Sequence, residues 1–156
     1  MTTSNQTQSL TDQVWQHIYA EAQATAKTEP VLAAYLQASI LDHSNLGHAL
    51  SFHLSTKLAS AVTPAQMLRD IMDKVFADSA TIGCAAKDIQ ATVDRDSACN
   101  LYSSPLLYFK GFLALQAYRV AHHLWLKNER SLALLIQYRV SLTLAVDIHP
   151  AAIIGC

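Results

Sequence analysis

Two short acidic stretches contain the residue types best suited to catalysis, Asp94-Arg95-Asp96 and Asp147-Ile148-His149. A carboxylate beside an imidazole can orient the ring and stabilise its protonated form, so that the imidazole removes a proton from a hydroxyl. If the second stretch is extended, alternation places Asp147 and His149 on the same side. A helix C-terminus with a nearby imidazole explains it equally well, and the residues alone leave both interpretations open.

Asp96 lies in residues 94–104, a segment with no helical or strand periodicity. An aspartate on a loop that is held by a rigid scaffold could bind the amine of a ligand. The alternative is a surface cluster of ion pairs at the C-terminal end of a helix. Both interpretations remain open at this point.

Seven histidines raise the question of a metal site, but their spacing argues against one. His43, His48 and His53 recur every five residues, which distributes them around a helix instead of gathering them on one face. The adjacent rings of His122 and His123 point in different directions. The GxGxxG, Walker, GxSxG and HExxH motifs do not occur, so we predict no metal ligands and no cofactor-binding residues in this chain.

The composition describes one domain with a large apolar core. The chain has 156 residues, of which 51% are hydrophobic and 15% charged, whereas an average soluble domain has roughly 25% charged residues. The formal net charge is -1, so no overall positive field exists to attract nucleic acid or an acidic membrane. We predict neither as a partner.

The cysteines and the N-terminus predict a cytoplasmic protein. Cys84, Cys99 and Cys156 are an odd number without a CxxC pair, which argues against a disulfide framework and fits a reducing compartment. Residues 1–10 contain neither a basic cluster nor an apolar segment typical of a signal peptide. The most apolar stretch, Leu132 to Val146, is shorter than the roughly 20 residues that cross a bilayer.

Hydrophobic residues recur at helical spacing through most of the chain and predict an all-α fold. Residues 1–8 are polar and are expected to form a disordered leader, followed by a capping box at Ser9 and Asp12. The sixth helix is expected to run unbroken through Leu124, and the last to end near Val146. Seven helices are predicted, beginning near Ser9, Pro30, Leu46, Pro64, Ile82, Ser103 and Ser131.

The last ten residues follow a different pattern. Ile148 and Ile154 are six residues apart, a spacing that suits a β-solenoid with one inward aliphatic side chain on each short face. A solenoid needs about three coils to bury its core, and this chain stops within the first.

Several collinear motifs resemble the serine acetyltransferase family over roughly Val14 to Gly155. The segment Asp147 to Ala152 is similar to the junction at which these enzymes pass from an N-terminal helical domain into a left-handed parallel β-helix. Further similar segments are Glu29-Pro30, residues 43–47, residues 88–91, residues 102–108, residues 110–112 and residues 114–119.

The resemblance implies acetyl transfer from acetyl-CoA to the hydroxyl of L-serine, giving O-acetylserine for cysteine synthesis. By position, Asp147 is similar to the aspartate that orients the catalytic histidine, and Asp96 to the residue that contacts the serine substrate. It also implies a division into a leader (1–8), a helical domain (9–146) and a truncated start of the hexapeptide β-helix (147–156). Homo-oligomers through the helical domains are expected.

The family's catalytic histidines and acetyl-CoA groove lie in the β-helix beyond residue 156. His149 belongs to the junction motif and is not the catalytic histidine. We therefore expect no useful turnover from this chain alone, since a histidine base typically contributes about 10²–10⁴-fold to rate. The alternative function is a non-catalytic assembly or regulatory module that associates with a full-length enzyme.

Overall fold

The computed structural model describes residues 2–156, with side chains from Leu10 onward, and these residues form an all-α fold. A 3-10 turn (Pro30–Leu32) precedes the second helix and a π-helical turn (Gln37–Leu41) follows it. The predicted fold class is confirmed. The α-helices are α1 (Thr2–Thr28), α2 (Ala33–Leu36), α3 (Leu46–Leu58), α4 (Ala65–Phe76), α5 (Ser79–Arg95), α6 (Ser103–Tyr108), α7 (Lys110–Leu126) and α8 (Arg130–Leu144).

Helix α7 runs through the centre of the domain. Its side chains are buried on every side from Phe112 to Ala121, apart from the half-buried Leu115, which is the pattern of a helix surrounded by others. Small residues on α7 allow α8 to approach closely, and the two helices pack along their lengths. Helix α3 packs on α4, and α1 packs on α5, so three helix pairs enclose one core.

Local residues set several helix starts, and those of α3 and α4 lie where the sequence predicted them. Asn45 has extended backbone and its side chain accepts a hydrogen bond from the His48 N–H at 2.9 Å, which satisfies one unpaired donor of the first turn of α3. Pro64 immediately precedes α4. Asp78 caps α5 by accepting the Thr81 hydroxyl at 2.8 Å and the Thr81 N–H at 2.9 Å. These two hydrogen bonds lower the pKa of the Asp78 carboxyl.

Three predicted boundaries are wrong. The first helix begins at Thr2, within the predicted leader and before the expected cap at Ser9. No glycine or proline occurs between residues 2 and 28 to interrupt this helix. The side chains of residues 1–8, the predicted leader, lie outside the part of the chain that the structure describes. The second predicted helix divides into 3-10, α and π turns.

The third difference concerns the predicted sixth helix, from Ser103 through Leu124. It is broken at Phe109. The backbone of Phe109 is extended, with φ -88° and ψ 105°. The break lets α6 bury Leu106 and Leu107 while α7 takes a separate path through the core. Tertiary packing therefore overrides the helical pattern of the sequence.

Helix α8 ends abruptly at Ala145, which has a left-handed backbone (φ 57°). A non-glycine residue in this conformation costs roughly 1–2 kcal/mol, and the Ala145 N–H is hydrogen-bonded to the Ser141 carbonyl at 3.1 Å. The turn redirects the chain into residues 146–156, which return across α7. Within the described residues, no helix combines the length and hydrophobicity needed to cross a membrane.

His53 is a buried polar residue in the α3 face of the core. Burial lowers the pKa of its imidazole from the usual 6.5 to about 4, and the nearby Lys57 acts in the same direction. A hydrogen bond with the backbone of Leu107 opposes them. Its Nε2 has no hydrogen-bond partner, so protonating the ring in the folded protein is unfavourable.

We predict that His53 makes the domain less stable in mild acid. The unfolded chain binds a proton near pH 6.5 and the folded chain only near pH 4, so the stabilisation is complete above pH 6.5 and is lost progressively toward pH 4. Over that window the wild type should lose about 2–3 kcal/mol more than His53→Leu. Urea unfolding at pH 4.5, 5.5 and 7 measures this, with the exposed His48→Leu as the control. Parallel pH profiles for wild type and His53→Leu would contradict the prediction.

Candidate active site

Asp96 lies at the C-terminal end of α5, where the helix turns into the loop before α6. Its N–H bonds the Thr92 carbonyl at 2.9 Å, and its Oδ1 accepts the Ala98 N–H at 2.9 Å, so the carboxylate is held in a local turn. The side chain is exposed. Asp94 is hydrogen-bonded to Gln90 at 2.9 Å, and the ion pairs among the described residues lie elsewhere.

An open pocket of about 720 Å³ lies beside Asp96. Two carboxylates and one guanidinium share it with aromatic side chains, so it can bind both a charged amine and an apolar group. The side chains come from the end of α5, the adjoining loop and the start of α7. Its lining residues are Asp88, Ala91, Thr92, Arg95, Asp96, Ser97, Phe109, Gly111, Phe112 and Leu115.

Glu21 of α1 fixes the far end of the Asp96 loop. Its two carboxylate oxygens accept the backbone N–H groups of Tyr102 and Ser103, each at 2.9 Å. The ring of His17 stacks on Tyr102 at 4.5 Å, and the Tyr102 hydroxyl donates to Gln90 at 3.2 Å. Sequence reasoning missed Glu21, because a partner 81 residues away leaves no local signal.

Asp147 follows the end of α8 and is also exposed. Its Oδ1 accepts a hydrogen bond from the Gln137 side chain at 2.8 Å, and Asp147 does not line the pocket beside Asp96. The structure therefore places the two predicted site residues at separate positions on the surface.

His149 is held away from Asp147 by partners of its own. Its Nδ1 accepts the Ala151 N–H at 3.0 Å, and its ring packs edge-on against Trp125 at 5.0 Å. The extended-segment interpretation, with Asp147 and His149 acting together, has no hydrogen bond to support it. The two residues define the junction between α8 and the last segment instead.

The predicted distribution of His43, His48 and His53 around one helix is wrong for His43, which lies before α3. His43 bonds the Ala38 carbonyl at 2.9 Å, His48 bonds Ser44 at 3.0 Å, and His53 is buried. Among the residues that the structure describes, no group of three or more histidine, cysteine or acidic side chains is arranged to hold a metal ion.

The structure pairs Cys84 of α5 with Cys156 in a disulfide, with Cα atoms 5.1 Å apart. The odd cysteine count argued against a disulfide framework and did not indicate this pair, because the pairing depends on the last segment folding back onto α5. Cys99 is free and buried, and burial raises the pKa of its thiol.

The family model for the serine acetyltransferase N-terminal domain matches residues 14–117. The chain belongs to the serine acetyltransferase family. It is 50% identical over 147 residues to the serine acetyltransferase of Haemophilus influenzae, covering 94% of this chain and 55% of that protein. The Salmonella typhimurium serine acetyltransferase is 52% identical over 143 residues, covering 91% and 52%. The chain thus spans about half the length of these curated relatives.

Solved serine acetyltransferase structures share the fold. One in complex with CoA matches with a TM-score of 0.91 and 51% identity, over 93% of this chain and 62% of that one. Soybean serine acetyltransferase complexed with serine matches with a TM-score of 0.87 and 46% identity, over 91% and 59%. At these identities the helical arrangement is that of the family's own N-terminal part.

We predict that Glu21→Gln destabilises the Asp96 loop, because the amide keeps one acceptor oxygen and loses the second. Hydrogen bonds to a charged group contribute about 1.5–3 kcal/mol each, so the free energy of unfolding should fall by roughly 1–2 kcal/mol. The Tyr102 and Ser103 amides should also exchange faster with deuterium.

The matched control is Glu29→Gln, because Glu29 is exposed and its side chain caps no helix. Chemical denaturation and residue-resolved exchange check both variants. Equal effects of the two substitutions would contradict a specific role for Glu21.

Proposed function

We propose that this chain is the helical N-terminal part of an enzyme that transfers an acetyl group from acetyl-CoA to the hydroxyl of L-serine, with O-acetylserine and CoA as products. The observation that carries the proposal is the match to the serine acetyltransferase solved with CoA, which covers 93% of this chain at a TM-score of 0.91. The structure with bound serine supports the second substrate.

In this proposal Asp96 binds the substrate's ammonium group. Its position supports the role, because the carboxylate is exposed beside an open pocket while helix α5 and Glu21 hold both ends of its loop. A charge-assisted hydrogen bond from the ammonium to Asp96 would orient the serine hydroxyl toward the acetyl donor.

Asp147 orients a histidine supplied by the β-helix that follows in the relatives. That histidine takes the proton of the serine hydroxyl while the oxygen attacks the thioester carbonyl, and CoA leaves as the thiol. Asp147 stabilises the imidazolium that forms. A hydrogen bond from Gln137 of α8 restrains the Asp147 carboxylate.

Residues 1–156 alone are proposed to bind acetyl-CoA too weakly for turnover, because the donor groove and the histidine base belong to the β-helix. The cytoplasm is the proposed compartment, where thiols are kept reduced. Cys84 and Cys156 would then be free thiols, and the last segment would depend on noncovalent contacts.

A non-catalytic assembly module remains the second candidate function. Helix α8 presents an exposed apolar stripe at four-residue spacing, formed by Leu134 (44% exposed), Tyr138 (58%) and Leu142 (59%). Such a stripe suits packing against another subunit, and homo-oligomers through the helical domains are part of this proposal. Light scattering of the chain with and without the H. influenzae enzyme tests it. A chain that stays monomeric and does not bind the H. influenzae enzyme would contradict the assembly-module function.

The catalytic proposal is tested by joining residues 1–152 to the β-helix of the H. influenzae relative and measuring thiol release from acetyl-CoA with L-serine. The chimera should turn over. Asp147→Asn should lower kcat by about 10²-fold or more, because the histidine loses its orienting charge. Asp96→Asn should raise KM for serine by roughly 10–100-fold.

Asp94→Asn is the matched control, because Asp94 lies two residues from Asp96 and is bonded to Gln90. It should leave both constants unchanged. The unfused chain should release thiol at the background rate. If the unfused chain turns over and Asp147→Ala abolishes that turnover, the claim that the unfused chain is inactive is overturned. If the chimera is active and Asp147→Asn does not lower its kcat, the proposed role of Asp147 is overturned.

A further inference from the structure

The last segment, residues 146–156, contains no helix or strand, yet it is held along one side of α7. Three α7 side chains bind its backbone. The Tyr118 hydroxyl donates to the Ala152 carbonyl and accepts the Ile154 N–H at 3.3 Å. Tyr118 therefore satisfies one acceptor and one donor of the segment.

His122 and Arg119 bind the carbonyls on either side of that point. His122 Nδ1 lies 2.7 Å from the Pro150 oxygen, and since a carbonyl can only accept, Nδ1 carries the hydrogen. Both terminal nitrogens of Arg119 lie 3.4 Å from the Gly155 oxygen. The carbonyls of residues 150, 152 and 155 thus all contact one face of one helix.

Contacts outside the segment also restrain these side chains. Tyr118 is 3% and Arg119 9% exposed, and an Asp88 oxygen on α5 accepts from Arg119 at 2.8 Å and from Gln116 at 2.8 Å. The ring of His122 stacks on Tyr118 at 5.6 Å. These contacts reduce the side-chain entropy that is lost when the segment binds.

We propose that Tyr118, Arg119 and His122 form a clamp that fixes the path of the chain as it leaves the helical domain. They are positioning residues: by holding residues 150–155 they set the position of Asp147 and the direction of any chain beyond residue 156. The relevance to catalysis rests on the proposed function of Asp147.

The competing explanation is that the Cys84–Cys156 disulfide alone holds the segment. Reduction separates the two explanations, because the clamp needs no covalent bond. The clamp predicts that the segment stays in place in reduced protein and in Cys156→Ser, whereas a segment tethered only by sulfur would be released in both.

The test is deuterium exchange of the Ala152 amide in reduced, full-length chain. This N–H bonds the His149 carbonyl at 2.9 Å and none of the clamp side chains, so its protection reports the placement of the segment. One ordinary hydrogen bond changes an equilibrium constant about fivefold. Tyr118→Phe and His122→Leu should therefore each lower the Ala152 protection factor by about fivefold or more.

Conservative replacement distinguishes positioning from general packing. His122→Asn places an amide N–H near the position of Nδ1 and should restore most of the protection that His122→Leu loses. Tyr138→Phe, on the exposed face of α8, is the matched control for Tyr118→Phe and should have no effect. Slow exchange of the central α7 amides shows that each variant is folded. If Tyr118→Phe does not fold, the comparison of His122→Leu with His122→Asn tests the clamp.

The proposal is overturned if the Ala152 amide of reduced wild type exchanges at the rate of an unstructured peptide, or if the clamp variants leave its protection within twofold of wild type. The exchange measurement involves no substrate, so it can reject the clamp without rejecting the proposed acetyl transfer, and the activity assay can do the reverse. An inactive chimera with a protected segment rejects the catalytic function alone, and an active chimera with an unprotected segment rejects the clamp alone.

Discussion

A partly buried ion pair between Asp88 of α5 and Arg119 of α7 connects the two places where the candidate site residues lie. The guanidinium and carboxylate are 2.8 Å apart, with 9% and 20% of the side chains exposed. Because Arg119 is almost fully buried, removing the Asp88 carboxylate would leave the guanidinium charge poorly compensated. Helix α5 carries Asp96 at its end and α7 holds the segment with Asp147, so the pair fixes these two elements relative to each other.

The helices around this pair restrain each candidate residue without burying it. Asp96 and Asp147 remain exposed and accept hydrogen bonds from Ala98 and Gln137, which hold their carboxylates in place. A scaffold that immobilises a loop and leaves its charged group accessible is what substrate binding requires. The structure thus leaves both carboxylates accessible on restrained segments, as the proposed function requires.

Local signals predicted much of the fold. The helix start near Leu46, the proline before α4 and the apolar spacing of α3, α5 and α8 depend on neighbouring residues, so a single sequence contains them. The break at Phe109, the left-handed Ala145 and the contact of Glu21 with Tyr102 depend on distant packing and could not be read from periodicity. For the candidate site, the resemblance predicts Asp96 and Asp147, and their roles stay predictions. The side chains that hold them lie far away in the sequence or depend on how the helices pack.

The most direct test of the central claim, that this domain brings Asp96 to the substrate, is a crystal structure of the β-helix chimera with bound L-serine. The distance from the Asp96 carboxylate to the substrate nitrogen decides it. We predict a hydrogen bond of about 2.7–3.2 Å and a histidine of the β-helix bonded to Asp147. Serine bound with its ammonium group away from Asp96 would contradict the claim.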